Sequence, residues 1–384
     1  MPQGAERLDY LDGLRGLAAL WVFLGHALLL TGFDIPILRH ATYGVDLFIL
    51  LSGFLMVFQF QLRSKFEDWS RPTTIISFWL RRFFRIAPLF YVLFAVALFM
   101  GPWLFELRAG IDSELGLHPQ LPRRYLDASA ANIAAHVSFL FGLIPQYSFR
   151  TPLPDWSIGL EMQFYAVFPF FLLVAERFGW RPVALTVGVA AAACVFGLDQ
   201  LGVRFPMPAF LPLKLHLFLA GMLLAVARTR PRRWSFVVLA ALFAAIPYGG
   251  PTDPGSLVTR VVIVLFFSAL IFARDTGPAA AVRRYLSGRA AHWLGELSYS
   301  AYLIHLLVMT PVASAVLAAA GGSLAAPARF AVTVAEALPL TYGLSALTYA
   351  AFERPGQRLG RHTINALFGA KRGRPTDAER QAAP

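Results

Sequence analysis

Long apolar runs recur along almost the whole chain, each separated from the next by a short polar gap. Crossing about 30 Å of hydrocarbon takes roughly 17–25 helical residues. Ten runs meet or approach that length: 14–31, 43–60, 86–104, 157–175, 183–198, 209–227, 235–248, 257–273, 294–318 and 329–351. A few are short, which proline and tilt accommodate. The stretch 131–145, with His136 inside it, is too short and interrupted to span, and reads as an interfacial or re-entrant helix. The predicted fold is all-α, a polytopic membrane helical bundle of about ten transmembrane helices.

Composition supports that picture. The 384 residues are 57% hydrophobic and 15% charged, where soluble domains usually carry about a quarter charged residues. A net charge of +12 invites a nucleic-acid reading. The basic residues, however, sit in the gaps between apolar runs, where positive-inside topology explains them, so no nucleic-acid partner is expected. Ten spans leave both termini on one side, and 25 of the 34 Lys and Arg fall on that side or at its ends. The remaining 9, among them Arg108, Arg124, Lys214 and Arg260, belong to the other side or to the spans. This bias predicts cytoplasmic termini in a multi-pass protein of the inner (cytoplasmic) membrane.

The start, MPQGAERLDYLDGLRG, lacks a positive n-region followed by a cleavage site, so the first helix is expected to be retained. Cys194 is the single cysteine, which excludes a disulfide within the chain and a thiolate metal cluster. No metal site is expected. The segment from Glu106 to Asp155 is long for a connector and is expected to be functional or partly structured. Residues 1–360 are predicted to form one membrane domain and 361–384 a basic, disordered cytoplasmic tail.

Ionisable groups inside a bilayer are costly and usually face a bundle interior or a water-filled cavity. Arg15 and His26 lie eleven residues apart on the first helix. That spacing rises about 16.5 Å and turns to within about 20° of three full turns, so both point one way, half a bilayer apart. Arg15 alone could simply snorkel to the interface, but the pair on one face favours function. Asp46 opens the second helix at the outer side, where it either orients His26 or caps its own helix. Arg82 and Arg85 share a helix face at the cytoplasmic entry of the third span, suited to phosphate or to mere anchoring. Ser157, Glu161 and Tyr165 follow one another at helical spacing, just after Trp156, with Glu161 near the depth of His26. Ser298, Tyr299, Tyr302 and His305 stripe the ninth span, and hydrogen bonding between helices is the plainer reading for them.

No nucleophile elbow, P-loop, HExxH or Cys/His zinc spacing occurs. A histidine base without a protein nucleophile favours direct transfer to a substrate hydroxyl over a covalent enzyme intermediate.

Taken together, LDYLDGLRGLAALWVFLGH, YGVDLFILLSGF, RRFFRIAP, DWSIGLEMQFY, LGELSYSAYLIH and FERP resemble, in order, the motifs of the acyltransferase-3 family of bacterial membrane O-acyltransferases. The resemblance implies a ten-helix core that moves an acyl group from cytoplasmic acyl-coenzyme A, in the simplest case acetyl-coenzyme A, to a hydroxyl. The acceptor would be a glycan, a glycolipid or a lipid-linked sugar beside membrane lipid, with no bound cofactor. It implies that His26 is catalytic, with Asp46 or Glu161 assisting. It also implies that Arg82 and Arg85 help bind the donor, and it maps a tryptophan-to-glutamate motif onto Trp156, Ser157, Glu161 and Tyr165; Arg15 is expected beside the donor as well, with Trp156, Ser157, Tyr165, Tyr299 and His305 as candidate substrate contacts. Two departures stand out: Met162 follows Glu161 where family members often have a second acid, and Gly159 replaces a common serine. The alternative from another class is a transporter or flippase that uses the buried His, Arg, Asp and Glu as a relay.

Overall fold

The computed structural model describes residues 8–64, 66–230, 232–245, 254–320 and 323–369. The helices are α1 (Tyr10–Thr31), α2 (Ala41–Arg63), α3 (Pro72–Glu114), α4 (Arg123–Leu126), α5 (Ala130–Val137), α6 (Trp156–Phe178), α7 (Trp180–Gln200) and α8 (Leu211–Ala227). They continue with α9 (Arg233–Ala245), α10 (Pro254–Phe272), α11 (Pro278–Leu286), α12 (Arg289–Glu296), α13 (Ser298–Ala320), α14 (Ala326–Thr348) and α15 (Arg354–Phe368). Eight helices among the described residues are long and apolar enough to cross a membrane, and the shorter apolar α8 and α9 occupy two further predicted spans. The protein is thus a polytopic helical bundle, as its apolar runs predict. Part of the predicted seventh span, 246–248, lies outside the described residues.

The helices pack by two devices. Glycine lets backbones approach where lipid offers no hydrophobic drive. At the α2–α8 crossing, a Cβ on Gly53 would stand 2.2 Å from the Phe218 carbonyl oxygen, and one on Gly221 would stand 2.0 Å from that of Leu50. Second, α8 is buried along nearly its whole length. A helix that is apolar all round belongs in the middle of a bundle, and α2, α7 and α9 pack around it.

Two boundaries differ from expectation. The third helix was expected over 86–104, yet α3 runs for 43 residues, about 64 Å at 1.5 Å per residue and twice the hydrocarbon thickness. Helical hydrogen bonding simply continues past the lipid at both ends, carrying Arg81, Arg82 and Arg85 at one end and Arg108 and Asp112 at the other. Residues 361–368, expected in the disordered tail, are helical. There α15 lays Gly356 and Gly360 against Pro88 and Phe84 of α3 and leaves Arg358 and Arg361 exposed. The tail from 370 onward lies outside the described residues.

The segment 106–155 is structured, and it covers the outer end of the bundle. Within 131–145, α5 is followed by a 3-10 turn at Leu140–Leu143, consistent with a non-spanning helix. His136 is sandwiched between Phe94 and Phe141, with ring centroids 4.9 and 4.3 Å away and interplanar angles of 11° and 4°. Asn132 donates to the carbonyls of Asp127 at 2.7 Å and Arg150 at 3.2 Å, and Arg150 pairs with Asp127 at 2.8 Å. The hydroxyl of Thr151 donates to Asp155 at 2.8 Å, just before α6 begins. Burial holds the Asp155 carboxyl above the usual aspartate range, against the opposing pulls of His136, Thr151 and Arg124.

Candidate active site

Three cavities follow one another through the bundle. At the arginine-rich end a cavity of about 870 Å³ is lined by Arg63, Arg81, Arg82, Arg85, Arg361 and Gln357. Further in, a smaller chamber of about 590 Å³ is lined by Arg15, Ser52, Ser157, Glu161, Tyr299 and Tyr302. At the opposite end a cavity of about 1040 Å³ takes in His26, Arg108, Arg124, Phe149 and Trp156. Tyr302 and Val45 line both the inner and the outer cavity, so they form the wall between them. Arg15 and His26 therefore open into different chambers.

The histidine is held in one orientation. His26 Nδ1 lies 2.9 Å from the Val22 carbonyl and 3.1 Å from His305 Nε2. His305 Nδ1 lies 2.7 Å from the Tyr302 carbonyl. A carbonyl only accepts, so His305 carries its proton on Nδ1 and presents a lone pair at Nε2. His26 Nδ1 then carries the proton shared between Val22 and His305, which leaves the lone pair on Nε2, the opposite ring nitrogen. That is the protonation state of a general base.

Neither carboxylate expected to orient His26 does so. Asp46 is buried and accepts from Lys214 Nζ at 2.6 Å and from Arg260 Nε at 3.3 Å. Its charge is committed to cations on α8 and α10, and it neither caps α2 nor contacts the histidine. Glu161 accepts from Ser52 Oγ at 3.0 Å and from the Tyr165 hydroxyl, and it lines the inner chamber rather than the outer one. His305, read from sequence as a substrate contact, is fully buried and lines none of these three cavities. Its side chain meets His26 and the Tyr302 carbonyl instead. Tyr165 is likewise buried, linking Glu161 through its hydroxyl to Arg82, whose guanidinium lies 5.4 Å from its ring centroid.

The other candidates are placed as follows. Arg82 and Arg85 share the arginine-rich cavity, with Arg82 also donating to Gln59. Trp156 faces the outer cavity. Tyr302 donates to the Pro154 carbonyl at 2.7 Å, so in the 2.8 Å contact with Ser157 it is the serine that donates. Tyr299 lines the inner chamber while donating to the Ile86 carbonyl at 2.8 Å, which ties α13 to α3. At FERP, Ser300 donates to Glu353 across helices, inside a π-helical turn over Tyr349–Glu353. Gly159 is explained by packing: a Cβ there would stand 2.8 Å from the Phe141 ring. Sequence reasoning missed Lys214, Arg260, Arg108 and Arg124 as parts of these sites. The signal for the first two was present as lone cations inside apolar runs.

Residues 8–346 match the family described as "Acyltransferase domain". The acyltransferase MdmB of Streptomyces mycarofaciens is 29% identical over 80% of this chain and 81% of its own length. The peptidoglycan O-acetyltransferase OatA of Listeria monocytogenes is 24% identical over 78% of this chain, which spans only 49% of OatA. The putative membrane-bound transacylase BcsY of Komagataeibacter xylinus is 28% identical over 77% of this chain and 71% of its own length. No solved structure matches. With a match over nearly its whole length, the chain belongs to the acyltransferase-3 family of membrane acyltransferases.

Proposed function

We propose that the protein transfers an acyl group, acetyl in the simplest case, from acyl-coenzyme A at the arginine-rich end to a hydroxyl of a glycan or glycolipid at the opposite end. The observation that carries this reading is the orientation of His26, whose Nδ1 is taken up by Val22 and His305 while Nε2 is left for the cavity it lines. A bacterial cytoplasmic membrane with both termini inside is the setting favoured by the charge bias. The glycan acceptor is also favoured by likeness to OatA, a relative named for peptidoglycan O-acetylation.

In this mechanism the phosphates of the donor pair with Arg82, Arg85 and the neighbouring arginines, whose planar forks suit phosphate oxygens. The thioester arm extends past Arg15 and Glu161 toward the Tyr302 wall. His26 Nε2 takes the proton of the acceptor hydroxyl as that oxygen attacks the thioester carbonyl carbon. The C–S bond then breaks, and the imidazolium returns the proton to the departing thiolate.

Membranes or purified protein incubated with radiolabelled acetyl-coenzyme A should pass label to glycan. Replacing Arg82 or Arg85 by alanine should raise KM for the donor about tenfold or more, with a much smaller change in kcat, because a charge-assisted contact present throughout the reaction is lost. Initial rates against donor concentration check this. A glycan that stays unlabelled with every acyl-coenzyme A tried, or one that crosses the membrane unmodified, would overturn the reading.

His305 provides a second check. His305→Ala should lower kcat by about tenfold or more with an unchanged KM for the donor, since it removes one of the two acceptors that hold the His26 ring in place. His305→Gln, whose amide oxygen also accepts, should recover part of the loss. Equal KM and kcat effects, without rescue, would make His305 merely structural.

A further inference from the structure

The outer cavity carries a charge that the transfer chemistry does not use. The charged residues lining it are Arg108 and Arg124, and no carboxylate lines it among the described residues. Arg108 is neutralised from behind by buried Asp112, at 2.8 Å. Arg124 has only neutral hydrogen-bond partners: Nη1 donates to the Gln120 side-chain oxygen at 2.9 Å, and Nε donates to the Thr151 carbonyl at 3.4 Å. Its guanidinium lies 4.0 Å from the Phe149 ring centroid. An arginine has five N–H donors in one planar fork. Two are used here, so the remaining three belong to a rigidly held group that faces the cavity containing His26.

The carboxylates of Asp155 and Asp112 act on Arg124 only through space, so three N–H groups of this half-buried guanidinium lack a charged acceptor, which is costly unless a ligand supplies one. Gln120 and Phe149 fix the fork, so little side-chain entropy is lost when an anion arrives.

Resting on the acyl-transfer reading for the identity of the cavity, we propose that the acceptor is an anionic saccharide, one that bears a carboxylate or a phosphate ester beside the hydroxyl to be acylated. Arg124 pairs with that charge and sets which hydroxyl meets His26 Nε2.

The test is binding in the absence of any acyl donor, so its outcome is independent of whether transfer occurs. Full-length protein in detergent is titrated with glucuronic acid, glucose 1-phosphate and glucose, followed by saturation-transfer NMR. At least one of the two anions should bind about tenfold more tightly than glucose, the gain expected of a hydrogen bond to a charged group. Whichever anion binds more tightly identifies the source of the charge, a uronate or a phosphorylated sugar. Arg124→Gln should remove that gap, and Arg124→Lys should keep part of it. Glucose binding as tightly as both anions would overturn the proposal. So would a gap that survives in Arg124→Gln, or one lost equally in a folded Arg124→Lys. A failure of the acyl-transfer reading would appear differently, as absent label transfer with the anion preference intact.

Discussion

Replacing His26 by alanine should lower acyl transfer by about 10²- to 10⁴-fold, the usual contribution of a positioned general base. The loss should fall on kcat. His26 lines the outer cavity, whereas Arg82 and Arg85 lie in the cavity at the other end, so donor affinity should stay close to that of the wild type. Folding should survive, because the imidazole is half-buried and the space it vacates opens into the cavity, where water can meet the lone pair left on His305. The measurement is the initial rate of label transfer from acyl-coenzyme A by the purified variant, alongside its elution as a folded monodisperse species. A folded His26→Ala protein that transfers at close to the wild-type rate would remove histidine from the mechanism altogether.

Asp46→Ala should instead cost the fold, by about 3–5 kcal/mol, because taking the carboxylate from a buried ion pair strands the Lys214 ammonium in a medium that cannot solvate it. Lys214 and Arg260 are each almost fully buried and share this one carboxylate, which joins α2 to α8 and α10. Thermal unfolding in detergent should show a markedly lower midpoint and poorer recovery from membranes. The double variant Asp46→Asn, Lys214→Met should regain part of the loss, since removing both charges also removes their desolvation cost. A fully stable Asp46→Ala protein that had lost only transfer would return this carboxylate to the catalytic role suggested by its place in the sequence.

The two aspects of Asp46 show where reading from sequence succeeds and where it stops. That a carboxylate in an apolar helix must have a partner follows from its residue type alone. Which partner it has does not. His26 was the base it was read against, yet the ion pairs formed with Lys214 and Arg260, 168 and 214 residues away. The partner of His26 was equally hidden, since His305 lies 279 residues downstream. Gly159 read as an unexplained departure until Phe141 was seen against it. The length of α3 escaped for another reason: polarity marks where lipid ends, and a helix need not end there.

Sequence by itself determined the number and rough limits of the apolar helices, the charged face of the bundle, and the alignment of Arg15 with His26 along α1. These are local properties. In lipid each helix must satisfy its own backbone hydrogen bonds, so its existence is written in some twenty consecutive residues. Tertiary structure alone decided that Arg15 and His26 open into separate chambers divided by Tyr302, that the Val22 carbonyl and a second histidine rather than a carboxylate hold the tautomer of the first, and that the hydrogen-bond partners of Arg124 among the described residues are neutral. Those facts depend on which helix faces meet, and that is set by close packing among residues far apart in the chain.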